Sequence, residues 1–187
     1  MKSALLIGSA LLVSALPSAA SAEPVLLISI DGLQPADILK SEERGIQVPN
    51  LKQFITNGTY ADKVKGVLPT VTYPSHATLL TGVSPAKHGI VGNNSFDPMQ
   101  INQGGWYWYA TDFKVPTLWD AAAKAGLSTA NIHWPVSVQA KAVTWNIPQI
   151  WRTGHNDDAK LLKALATPGL IEALETDLGS YAPGIDE

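Results

Sequence analysis

Val25-Leu26-Leu27-Ile28-Ser29-Ile30 is an almost unbroken apolar run, rich in β-branched residues, that stops abruptly at Asp31-Gly32. A strand with one wet face alternates between apolar and polar residues. A run without alternation predicts a strand covered on both faces, as in a parallel sheet with helices above and below. The rest of the composition allows this. The chain has 187 residues, 45% hydrophobic and 16% charged, enough for one ordinary core and too apolar for disorder. Its thirteen prolines, fifteen glycines and six tryptophans suit a loop-rich α/β protein better than a helix bundle. Thirteen basic side chains against sixteen acidic ones, with no lysine or arginine run, exclude a partner such as duplex nucleic acid held by phosphate neutralisation. The absence of cysteine removes disulfide scaffolds, thiolate zinc sites and cysteine nucleophiles, and leaves the compartment open.

Residues 1–22 predict a removable address. Lys2 is followed by an apolar stretch from Ala4 to Leu16, a break at Pro17 and the small residues Ala20-Ser21-Ala22, the pattern of a secretory signal. The stretch is interrupted by Gly8, Ser9 and Ser14 and falls short of the roughly 20 residues of a spanning helix. The expectation is a periplasmic or secreted mature chain, 23–187, with no membrane span after signal cleavage.

In the mature chain, Leu51, Phe54 and Ile55 give one helical face after Val48-Pro49-Asn50, with Asn57-Gly58 as the stop. Residues 61–68 alternate loosely and predict a strand. The turn Thr70 to Pro74 then leads into a helix ending near Thr81-Gly82. Between Gly89 and Phe113 the chain reads as loop plus a short hairpin containing Trp106-Tyr107-Trp108-Tyr109. Pro116 opens a clearer helix, with Thr117 and Asp120 spaced as a capping pair and Gly126 as terminator, and residues 128–133 follow as a strand. Two more helices, 157–165 and 170–178, are split by Pro168-Gly169. These elements predict an open α/β sheet covered on both faces. With only about four strand candidates, that sheet has an unfinished edge.

Two residues stand out chemically. A carboxylate at the end of a buried parallel strand, Asp31, sits where such sheets bind ligands, although Asp-Gly is equally a plain turn. Thr72 stands where a helix begins, beside backbone N–H groups and the positive end of the dipole, a position suited to a phosphate group. A capping threonine is the ordinary alternative there. Threonine is barely ionised at neutral pH and needs a base or a metal to attack. Two divalent ions about 4 Å apart would meet that need, and carboxylate with imidazole is a set zinc accepts. His76, His88, His133 and His155 show no zinc spacing of their own, and each has a structural reading: His76 as support for the nucleophile helix, His88 in a turn before Gly89. No Gly-x-Ser-x-Gly elbow is present.

Ile28-Ser29-Ile30-Asp31-Gly32-Leu33, together with Pro69-Thr70-Val71-Thr72-Tyr73-Pro74-Ser75-His76, Leu80-Thr81-Gly82 and His88-Gly89-Ile90, resembles the nucleotide pyrophosphatase/phosphodiesterase branch of the alkaline phosphatase superfamily. The resemblance covers nearly all of the mature chain. It implies an alkaline phosphatase-like α/β sandwich, with a central mostly parallel sheet and helices on both faces, incomplete at the C-terminus. It implies hydrolysis of phosphodiester or pyrophosphate bonds in nucleotides or other small phosphodiesters through a phospho-threonine intermediate at Thr72. Two zinc ions would serve the complete domain, one bound by Asp31, with Thr72 also a metal ligand. Asn93 and the Tyr73 N–H would hold a non-bridging oxygen, and the Tyr73 ring would lie beside a base. Ser75 and Gln34 depart from the asparagine and arginine common in the family, and the family's later aspartate and histidine ligands find no match before Glu187. A phosphonate or phosphomonoester hydrolase of the same superfamily, and a truncated non-catalytic exported domain, remain the alternatives.

Overall fold

The computed structural model describes residues 23–99, 101, 105–150 and 157–180. The expected signal segment, 1–22, lies outside them. The chain divides into two units, Met1–Gln47 and Val48–Glu187.

In the first unit, helix α1 (Pro35–Leu39) starts on a proline, whose fixed φ suits a first helical position. Its entry is closed by Gln34 N–H donating to Asp37 Oδ2 (2.9 Å), and Arg44 pairs with the same carboxylate. The Gln34 amide, helped by Arg44, holds the Asp37 carboxyl below its ordinary value. The strand expected over 25–30 is absent: this stretch has no regular structure, and Val25 is 91% exposed. Apolar composition supplies only the covered faces of such a strand. The ladder must come from neighbouring strands, and none is paired with 25–30 among the described residues.

The second unit holds the remaining elements. Helix α2 (Pro49–Asn57) stops where Gly58 N–H bonds Phe54 C=O (3.0 Å), as the spacing predicts. Residues 61–68 do not form the expected strand. Helices α3 (Thr72–Thr81) and α4 (Pro85–His88) follow, then a 3₁₀ turn at Ala110–Asp112 and helix α5 (Leu118–Lys124). The predicted capping pair is made: Thr117 Oγ1 accepts from Asp120 N–H (3.2 Å), and Asp120 Oδ2 accepts from Thr117 N–H (2.7 Å). Strands β1 (Ala130–Ile132) and β2 (Trp145–Ile147) pair in parallel, and α6 (Asp158–Leu165) and α7 (Leu170–Leu178) close the order. The architecture is thus mixed α/β, a small parallel sheet flanked by helices. Leu162 and Ile171 of α6 and α7 pack with Trp108, Val138, Ile147 and Ile150 in one cluster, while Leu80 of α3 and Trp119 of α5 pack with Trp134, Ala140 and Val143 in another.

A parallel pair needs a crossover, and here residues 133–144 make it without a helix. His133, Val136 and Gln139 all take positive φ (55°, 59° and 58°), which costs an L-residue roughly 1–2 kcal/mol each. A buried polar network holds this path. Asn131 Nδ2 donates to Asn146 Oδ1 across the two strands (2.7 Å), Asn146 Nδ2 donates to Ser137 C=O (2.7 Å), and Trp134 N–H donates to Asn131 Oδ1 (3.1 Å). Gln149 N–H ends on Ser137 Oγ (3.1 Å). With its main hydrogen bonds made, such a network fixes one loop path, whereas a broken one leaves buried groups bare. Asn146→Ala should destabilise the protein by about 1–3 kcal/mol through loss of its two buried hydrogen bonds, to Asn131 and to Ser137 C=O. Adding Asn131→Ala should cost less than the sum of the single changes, as read by urea unfolding. Strict additivity would show that the two amides are not coupled.

Candidate active site

Helix α3 is pinned by the residues it buries. Tyr73, Pro74, Ala77 and Leu80 face inward, and the helix ends at Gly82, whose φ of 70° a side chain would resist and whose N–H returns to Thr78 C=O (2.8 Å). The capping position is Val71, so Thr72 is the first helical residue rather than the cap, and it is half-buried. His76, one turn on, donates from Nδ1 to Thr72 C=O (2.8 Å) and meets Trp134 edge-to-face, with centroids 5.0 Å apart. The support expected of His76 therefore exists, and Trp134 at the start of the crossover backs it.

Asn93 reaches the same turn from twenty residues away: Tyr73 N–H donates to Asn93 Oδ1 (3.0 Å). Of the expected oxyanion pair, the Tyr73 N–H is thus engaged with Asn93 itself. That bond fixes the amide orientation, because a donor facing Oδ1 turns the two-donor Nδ2 end the other way. The Tyr73 ring is wholly buried among Ala77, Ile90 and Val136, edge-on to Trp106 at 5.2 Å, and burial raises its hydroxyl above the ordinary range. In this conformation its faces belong to the core.

Asp31 belongs to the first unit. It is exposed, and its Oδ1 accepts from Gly32 N–H (3.1 Å) at a turn where Gly32 has φ 72°. Carboxylate and hydroxyl oxygen are donor types a divalent cation accepts. Among the described residues no three His, Cys, Asp or Glu side chains converge as a metal site. Asp31 and Thr72 each offer a donor type that such a ligand set can use.

Sequence reasoning gave His88 only a turn. It is fully buried, its Nδ1 accepts from Ile90 N–H (3.1 Å), and its Nε2 meets Thr78 Oγ1 on α3 (3.1 Å). The available signal was a histidine ending the four-residue helix Pro85–His88 just before a glycine, which by itself names no partner.

A family model described as type I phosphodiesterase / nucleotide pyrophosphatase matches residues 25–177. Among curated proteins, the chain is 30% identical over 141 residues to rat ectonucleotide pyrophosphatase/phosphodiesterase family member 3, a match covering 71% of this chain and 15% of that protein. It is 28% identical over 170 residues to a venom phosphodiesterase of Naja atra (88% and 20%) and 30% identical over 132 residues to that of Macrovipera lebetinus (65% and 14%). The chain spans no more than a fifth of the length of these relatives.

Burial lowers the pKa of His88, with the Pro74 carbonyl acting in the opposite sense, and burial also lowers that of His133. A group whose folded pKa lies below its unfolded value near 6.5 takes up more protons when unfolded, so its share of stability is intact above that value and lost as pH falls below it. Burial raises the pKa of Asp112, which works in the other direction, from the ordinary carboxylate value of 3.8 upward. The melting temperature should therefore be level from about pH 8 to 7 and decline between about pH 6.5 and 5. A level curve down to pH 5 would mean that both imidazoles are solvated.

Proposed function

The chain belongs to the type I phosphodiesterase / nucleotide pyrophosphatase family, and from that premise we propose that it serves hydrolysis of phosphodiester or pyrophosphate bonds in nucleotide-like small molecules, with Thr72 as nucleophile. The observation that supports this best is the Tyr73–Asn93 hydrogen bond, which fastens a two-donor amide to the residue following the threonine. Thr72 Oγ1 attacks phosphorus, a new P–O bond forms, and the bond to the leaving oxygen breaks. Water then hydrolyses the phospho-threonine and frees the hydroxyl. Asn93 Nδ2 donates to a non-bridging oxygen as charge grows there, and the N-terminal end of α3 favours the same charge. Two zinc ions, when bound, would supply the positive charge that ionises the hydroxyl and polarises the phosphoryl group, with Asp31 and Thr72 among their ligands. His76 keeps the Thr72 carbonyl in place through Nδ1. Base contact by the Tyr73 ring would require it to leave its enclosure with Ala77, Ile90, Val136 and Trp106. Export to the periplasm or outside the cell, supported by the pattern of residues 1–22, is part of the proposal.

Thr72→Ala should reduce turnover of bis(p-nitrophenyl) phosphate by well over a hundredfold, because nucleophile and activating groups act as a unit. Mass spectrometry of quenched reactions should find phosphate on residue 72 of the unaltered protein. Turnover in the alanine variant close to that of the parent would remove Thr72 from the mechanism. Asn93→Ala should lower kcat about 10²–10³-fold with a much smaller change in KM, since its donor acts on charge that develops during the reaction. Comparing diesters, monoesters and phosphonates on the same protein separates the proposed substrate class from its neighbours.

A further inference from the structure

We infer that His88 is a positioning residue: as a neutral imidazole protonated at Nε2, it clamps the first turns of α3 to the segment that carries Asn93. The inference rests on the Thr72 reading above and adds a residue to it. The tautomer follows from the partners. Ile90 N–H donates to Nδ1 (3.1 Å), so the ring proton resides on Nε2 and is directed to α3, where Thr78 Oγ1 lies 3.1 Å away and the Pro74 carbonyl also bonds the ring.

Each arm reaches a part of the site. Pro74 and Thr78 are on the helix that begins with Thr72. Ile90, whose side chain is buried against Tyr73 and Ala77, is three residues before Asn93. The Tyr73–Asn93 bond therefore spans a gap whose other side is closed by His88. The ring has little room to move: His88 is 0% exposed, its imidazole is edge-on to Phe113 with centroids 6.4 Å apart, and the His88 backbone C=O accepts from Lys114 N–H (3.0 Å). The next residue must be glycine, because Gly89 has φ 88° and a Cβ there would stand 2.9 Å from the Lys114 stem. The turn thus delivers one imidazole with both nitrogens committed, and a small displacement of either arm moves Tyr73 N–H against Asn93.

The test uses three variants and two readouts. His88→Asn keeps a polar group near Nδ1 and loses the arm to α3. His88→Gln restores a donor near Nε2. Thr78→Val removes one acceptor at nearly constant volume and guards against misfolding of the histidine variants. In His88→Asn and Thr78→Val, hydrogen exchange at the Tyr73 amide should speed up at least about tenfold, and kcat should fall about tenfold to a hundredfold with KM within about threefold. His88→Gln should recover most of both. Unchanged Tyr73 exchange in His88→Asn and Thr78→Val overturns the clamp, as do equal losses in His88→Gln and His88→Asn. If Thr72→Ala remains active, the nucleophile reading falls while the exchange result still decides the clamp.

Discussion

The hydrogen bond from Tyr73 N–H to Asn93 Oδ1 is the contact on which the rest of the candidate site depends. The first N–H groups of a helix have no partner within it, and here one of them is satisfied by a side chain from another segment rather than by water or a local cap. The exchange serves two purposes at once. It anchors the start of α3, which has no capping side chain at Val71, and it orients the Asn93 amide so that its donor end faces away from the Tyr73 N–H. Without it, the segment after α4 would lose its direct hydrogen bond to the threonine turn, and a donor placed by chance contributes little to a developing charge.

Burial makes that bond durable and also limits what Tyr73 can do. A ring of this size, wholly removed from water, contributes on the order of 2–3 kcal/mol to fixing the helix, and its edge contact with Trp106 adds to that. The same enclosure costs it as a recognition surface. A stacked base needs an open aromatic face, and the Tyr73 ring is wholly buried in a cluster with Ala77, Ile90 and Val136. The residue thus acts here through its backbone, and its hydroxyl, buried without a hydrogen-bond partner among the described residues, marks a place where packing outweighs polar satisfaction.

Local chemistry made several elements readable in advance. The Thr117 and Asp120 pair, Gly58, Gly82 and the Pro168-Gly169 break mark helix boundaries through caps that involve residues only a few positions apart. Strands were harder, because pairing is set at a distance. The run 25–30 has the right side chains and no ladder, whereas β2 has three residues with a buried asparagine at its centre, a pattern that hides a strand inside a polar stretch. For the site, Thr72 was visible from its place between prolines and at a helix start. Asn93 entered only through resemblance, since its partner lies twenty residues earlier, and His88 was read as a turn because Thr78 is ten residues upstream and on another helix. Neither separation leaves a periodic trace.

Magnitudes decide what position 72 still requires. The positive end of a helix is worth about 0.3–1 kcal/mol, at most ~2 in a partly buried setting. At 1.36 kcal/mol per pKa unit, it lowers the pKa of an alcohol by little more than one unit. A threonine hydroxyl stays protonated after so small a shift, and His76, whose Nδ1 is committed to the Thr72 carbonyl, does not offer that nitrogen as a base. A carboxylate acting directly on the hydroxyl is far too weak a base to keep an alcohol ionised on its own. A bound divalent ion is of another order: zinc brings the pKa of a bound water down to about 7. The helix can therefore orient Thr72 and bias it toward an anion, and under the proposed function the remaining activation would fall to a full positive charge. In that proposal the value of an acidic side chain such as Asp31 would lie in holding a cation rather than in acting as the base.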